Sequence, residues 1–159
     1  MSLGILIDIE PYEYERGFEV GIRRFTANWG RPDAPHYDRS KMEEDRNAQA
    51  AAAICELAVA KYLNQYWHAS IWHVSEQSKY RHLPDVGRDI EVRRVRTQKG
   101  VTVRPGDKGK VVWGARVVDP EYRLVELLGF INADIVLEAR PEGYVVPFAR
   151  LEKPWEEHE

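Results

Sequence analysis

Cysteine is nearly absent from the chain. The lone Cys55 excludes an intramolecular disulfide and a zinc cluster built on thiolates, so any metal would be held by oxygen or imidazole. Imidazole is also poorly placed. None of His36, His68, His73, His82 and His158 shows the paired helical spacing of a histidine metal site. Long apolar runs are missing, and nothing approaches the roughly 18 residues of a membrane span. Leu3, Ile5, Leu6 and Ile7 have no basic region before them and are followed at once by Asp8 and Glu10, which does not resemble a secretion signal. The expected location is therefore cytoplasmic, with no membrane role. Internal repeats and low-complexity stretches are absent too. At 159 residues, 43% apolar and 31% charged, the chain reads as one globular domain spanning 1–159.

Net charge is small, at −3, but it is segregated. Between Ser78 and Arg116 stand eleven basic residues, Arg93, Arg94, Arg96, Arg104 and Lys110 among them, against Asp85, Asp89, Glu91 and Asp107. That segment carries +7, which leaves −10 for the rest of the chain. Such a segment can attract phosphate while the acidic remainder limits indiscriminate binding. It is equally consistent with a solvated sheet face decorated with arginine.

Tyr14, Phe18, Ile22 and Phe25 recur at helical spacing after Pro11, which predicts a helix from about Tyr12 to Asn28. Gly30, Pro32 and Pro35 end it in a loop. Ser40 and Glu43 form a capping-box pattern ahead of an Ala- and Leu-rich run, which predicts a longer helix from about Lys41 to Asn64. Beyond it, short β-rich runs separated by Gly and Pro predict strands at Ile71–Val74, Asp89–Val95, Val101–Arg104, Val111–Val117, Leu124–Ile131 and Tyr144–Phe148. The expected architecture is α/β in the α+β sense, two N-terminal helices packed on a mixed, mostly antiparallel sheet.

Three acids stand where a small or apolar residue would be the bland choice. Glu56 lies in Ala51-Ala-Ala-Ile-Cys-Glu-Leu-Ala-Val-Ala60, where a carboxylate needs a partner or a metal unless it occupies an exposed stripe of the helix. Alternation places Asp89, Glu91 and Arg93 on one strand face and Ile90 and Val92 on the other. Asp85 can oppose Glu91 in a hairpin only if Gly87-Arg88-Asp89 form a three-residue loop. Two carboxylates brought together repel unless a cation separates them, and Mg²⁺ or Mn²⁺ prefers oxygen ligands. The alternative makes Asp85 a turn residue and pairs Glu91 with a nearby arginine. Other features are weaker. Gly106-Asp-Lys-Gly-Lys110 reads as a short turn between strands, Trp67 and Trp72 could stack on bases or simply pack, and Cys55 reads as a small buried hydrophobe.

Pro84-Asp85 followed by Glu91-Val92-Arg93, after a helix bearing Glu56, resembles the PD-(D/E)XK nuclease superfamily. Glu19-Val-Gly-Ile-Arg-Arg24, Asp85-Val-Gly and Gly129-Phe-Ile extend the likeness, from about residue 12 to 151, to small phage-encoded members. The resemblance implies a restriction-endonuclease-like core and hydrolysis of phosphodiester bonds in nucleic acid, with DNA expected, in a host cytoplasm if the chain is phage-encoded. It implies Mg²⁺ or Mn²⁺ ligated by Asp85 and Glu91, with Glu56 reaching the ion directly or through water. The chain departs from the superfamily pattern in the short spacing from Asp85 to Glu91 and in Arg93, which stands where lysine is usual. Guanidinium stays protonated and cannot act as a base, so Arg93 is expected to contact the scissile phosphate, and Arg94, Arg96 and Arg104 the nucleic-acid backbone. Two rivals share this fold: a catalytically silent nucleic-acid binder, and a phage protein that binds a host factor. The oligomeric state is open, a dimer included.

Overall fold

The computed structural model describes residues 4–28, 42–72, 83–96 and 99–156. Strand β1 (Ile5–Asp8) precedes helices α1 (Pro11–Asn28) and α2 (Met42–Leu63). Strands β2 (Ile90–Arg94), β3 (Gly100–Val103), β4 (Val111–Val117) and β5 (Leu124–Asn132) follow, then helix α3 (Ala133–Ala139) and β6 (Tyr144–Pro147). Four strands make one sheet in the order β1-β5-β4-β2, antiparallel except for the parallel pair β2–β4, while β3 and β6 form a separate antiparallel ribbon. The class is α+β. Among the described residues no helix is long and apolar enough to cross a membrane.

Helix α2 is the centre of the molecule. From Ala50 to Ala60 every residue is buried except Ala52, because α1 covers one side of the helix and the four-stranded sheet the other. A helix apolar all round can only be an interior one. The buried face of α1 is made by Gly17, Val20, Gly21 and Phe25, so of the large residues that mark its periodicity only Phe25 is buried, while Tyr14, Phe18 and Ile22 remain half-buried. A Cβ on Gly21 would overlap the backbone of Ala50, so the glycine is what lets the two helices meet closely.

The sheet separates two apolar layers. Ile90, Val92, Trp113, Ala115 and Leu127 pack towards α2 with Ile54, Leu57 and Ala58. Val112, Leu128 and Val95 pack on the other face with Val101 and Val103 of β3, Val146 of β6 and Val136 of α3.

The expected helices and four of the expected strands lie within a residue or two of their observed bounds, and the strand at Tyr144–Phe148 ends at Pro147, where a turn of 3₁₀ helix follows. Three elements differ. Ile71 and Trp72 are not in a strand, and the rest of Ile71–Val74 lies outside the described residues. The apolar opening, read only as a run, is edge strand β1, and Ala133–Ala139 forms a helix that periodicity did not show. Asn132 starts it by accepting a hydrogen bond from the Asp134 amide at 2.9 Å.

Candidate active site

Asp85 is held by its backbone on both sides. Its amide donates to the Ile90 carbonyl at 2.9 Å, and its carbonyl accepts from the His68 amide at 3.2 Å. Val86 bridges Ile90 across Gly87-Arg88-Asp89, the three-residue connection that sets Asp85 opposite Glu91. Glycine stands first in this loop because the backbone there turns left-handed, at φ +58°. The stretch after α2 closes over the hairpin: Trp67 bridges Val86, the Gly87 amide donates to the Tyr66 carbonyl at 2.8 Å, and a His68 ring nitrogen lies 2.7 Å from the Gly87 carbonyl. The Asp85 side chain then turns back on its own hairpin, its Oδ2 accepting from the Val92 amide at 2.9 Å.

Glu91 and Arg93 share the face of β2 that carries Val95, the face turned to β3 and α3. Arg93 ties two elements together, its Nη1 donating to Glu91 at 3.0 Å and its Nη2 to Asp107 at 2.5 Å. Asp107 is buried in the 3₁₀ turn after β3 and also accepts from the Arg104 amide at 2.8 Å. Lys110, brought beside Glu91 by the parallel pairing of Ile90 with Val111, places its Nζ 3.2 Å from Glu91 Oε1. Together with Asp85, Trp72, Leu83 and Arg104 these groups line an open cleft of 710 Å³.

Glu56 belongs to the other face. It is 6% exposed, so the exposed-stripe alternative does not hold, but neither does it line the cleft. Arg24 of α1 grips both its oxygens, at 2.7 and 2.9 Å, and Trp67 Nε1 donates to it at 3.1 Å. Arg24 also reaches the Ser70 carbonyl at 2.8 Å, fastening α1 to the stretch that covers Asp85.

Asp85 thus stands at the sheet edge between Glu56 on one side and Glu91 on the other. Burial first, then the charges of Glu56 and Glu91, push its carboxyl well above the usual carboxylate range, against the opposing pull of the Val92 amide and Arg24. Burial and the negative charge of Glu56 also raise the Cys55 thiol, to about 12, despite the opposing charge of Arg94, so it is an inert core group.

The three acids are therefore not one ligand cluster. Among the described residues no group of three or more His, Cys, Asp or Glu side chains is arranged to hold a metal ion. Asp85 and Glu91, on one cleft, still make a pair that suits Mg²⁺, an ion that commonly keeps several waters and takes one or two carboxylates plus substrate phosphates. Of the predicted backbone contacts, Arg104 lines the cleft and Arg94 does not. Arg94 lies near Cys55 and Tyr122, and burial, then the charge of Arg96, lowers its pKa. Asp107, Lys110 and Arg24 were missed as site groups. Their only sequence signals are an aspartate three residues after Arg104, a lysine inside a turn, and an arginine at the end of a motif.

The fold and this cleft define an α+β domain whose sheet edge carries a mixed acidic and basic groove. No family model, curated protein or solved structure matches the chain.

Proposed function

We propose that the cleft hydrolyses phosphodiester bonds of nucleic acid, with DNA as the expected substrate, on a restriction-endonuclease-like core and with Mg²⁺ or Mn²⁺ held by Asp85 and Glu91. The observation that carries this reading is the presence of both carboxylates in one open cleft with Arg104 and Lys110. Carboxylates suit a hard divalent ion and the cations suit phosphate. Such an ion supplies an activated water and neutralises charge developing on the phosphate.

The protein groups have separate tasks in this reading. Arg104 and Lys110 bind the phosphate and stabilise its added negative charge. Arg93, with its two terminal nitrogens engaged by Glu91 and Asp107, positions Glu91 rather than contacting substrate itself. Glu56 and Arg24 hold the wall behind Asp85. The working cation beside Glu91 is then Lys110, which reaches from the turn before β4 the neighbourhood that the superfamily pattern assigns to the Arg93 position.

A second reading, nucleic-acid binding without cleavage, is favoured by one observation: both oxygens of Glu91 already contact cations, Arg93 and Lys110. Cleavage assays on single-stranded, duplex and branched DNA with Mg²⁺, Mn²⁺ and chelator separate the two. The hydrolytic reading expects metal-dependent products from the wild type, none from Asp85→Asn or Glu91→Gln, and undiminished DNA binding by Glu91→Gln, which removes a negative charge from the groove. Binding indifferent to metal, with no product from any DNA form, selects the silent binder.

A further inference from the structure

A second, smaller recess of 240 Å³ lies on the α1 side of Asp85, lined by Arg24, Asn28, Gln49, Ser70, Trp72 and Asp85. Trp72 and Asp85 line this recess and the main cleft alike, so the two lie side by side at Asp85, a small arm and a main arm. Their chemistry differs. The main arm sets Arg93, Arg104 and Lys110 against Asp85, Glu91 and Asp107, whereas in the small arm Arg24, already held by Glu56, and Asp85 stand with the uncharged Asn28, Gln49, Ser70 and Trp72. Trp72 is anchored at its backbone, its carbonyl accepting from Asn28 Nδ2 at 3.3 Å.

Cationic grooves that follow a phosphate backbone, with aromatic rings on which bases stack, are how proteins bind single-stranded nucleic acid. The small arm lies below the roughly 300–1,000 Å³ of a drug-sized ligand site, a scale that suits one heterocycle and not a base pair. A base within a duplex stack cannot enter such a recess without leaving the stack.

Resting on the hydrolytic reading above, we propose that the two arms form one groove for an unpaired nucleotide, its phosphate against Arg104 and Lys110 and its base on Trp72 beside Asn28, Gln49 and Ser70. The substrate class is then single-stranded nucleic acid, or a strand with an extruded base, rather than an intact duplex.

The test measures binding by fluorescence anisotropy in chelator, so that cleavage plays no part. Three labelled probes of equal length are compared: a short single strand, an all-abasic strand of the same charge, and a duplex. The proposal expects the intact strand to bind about tenfold more tightly than the abasic one, the scale of one stacked base. Trp72→Ala should bring the intact strand down to the abasic level, Trp72→Phe should retain most of the affinity, and duplex binding should change less than twofold in either. Equal affinity for intact and abasic strands, or no binding to either at low salt, overturns it, and this comparison needs only the wild-type protein should Trp72→Ala fail to fold. Base-dependent binding without cleavage in Mg²⁺ or Mn²⁺ removes the hydrolytic reading and leaves the groove standing. Cleavage with no preference for bases does the reverse.

Discussion

At the scale of single residues, the strongest electrostatic tension sits at Asp85, and it can be read as stability. Its folded-state pKa is raised, so between the ordinary carboxylate value near 4 and the raised value the folded chain holds more protons than the unfolded one. Stability contributed at this site therefore falls as pH rises across that window, and the penalty is absent below it, where both states are protonated. Asp85→Asn, which keeps an acceptor for the Val92 amide, should raise the Tm in chelator by a few degrees at pH 8, with the gain vanishing near pH 4. A Tm scan across pH checks this, and a lower Tm for the variant at pH 8 would refute it. Arg24 presents the opposite case. Its guanidinium and the Glu56 carboxylate are both mostly buried, at 16% and 8% side-chain exposure, so removing the cation strands a buried charge. Arg24→Met should cost about 3–5 kcal/mol in urea denaturation, and adding Glu56→Leu should recover much of it.

At the scale of elements, the close approach of α1 to α2 depends on the absence of side chains. Gly21→Ala places a methyl group on the Ala50 backbone and should cost about 1–3 kcal/mol as the helices separate. Gly106→Ala, where an added Cβ meets nothing within 4 Å, should be nearly neutral to stability in the same denaturation series. Hydrophobic periodicity found α1 and, in Phe25, part of its packed face, but it passed over Gly17 and Gly21, because glycines carry no hydrophobic signal. The Ala-rich run marked α2 correctly for a related reason: small residues with good helix propensity suit a helix enclosed on several sides. Edge strand β1 was hidden because only four residues pair, and α3 because seven residues give too few turns for a periodic signal.

At the scale of the whole molecule, the basic segment does not fold into one uniform surface. Arg104 and Lys110 enter the cleft, Arg93 is spent on Glu91 and Asp107, Arg94 lies near Cys55, and Arg116 pairs with buried Glu126 at 2.7 Å. Arg88, Arg96, Lys99 and Lys108 are exposed outside the cleft, so among the described residues the cations of the segment are divided between the cleft, the ion pairs and the open surface. Each phosphate neutralised adds roughly −0.7 for a single strand, or −0.9 for a duplex, to the slope of log affinity against log salt. With Arg104 at the cleft, the slope should become shallower by about one unit in Arg104→Ala. Affinity measured from low to moderate salt checks this, and a wild-type slope near zero would exclude phosphate contacts altogether.

The sequence by itself determined the α+β class, the two long helices and most of the strands, because each rests on propensity and periodicity within a short window. It also selected Glu56, Asp85 and Glu91 as acids in unusual surroundings, since an acid within an apolar or turn-bounded stretch is a local fact. Only the tertiary structure decided what surrounds each of them. Arg24 neutralises Glu56 from 32 residues away, Lys110 reaches Glu91 from 19 away, and the sheet edge puts Glu56 and Glu91 on opposite faces with Asp85 between them. Charge acts through space with no regard to chain separation, so no reading of neighbouring residues could have divided the three acids into a buried ion pair and a two-carboxylate cleft.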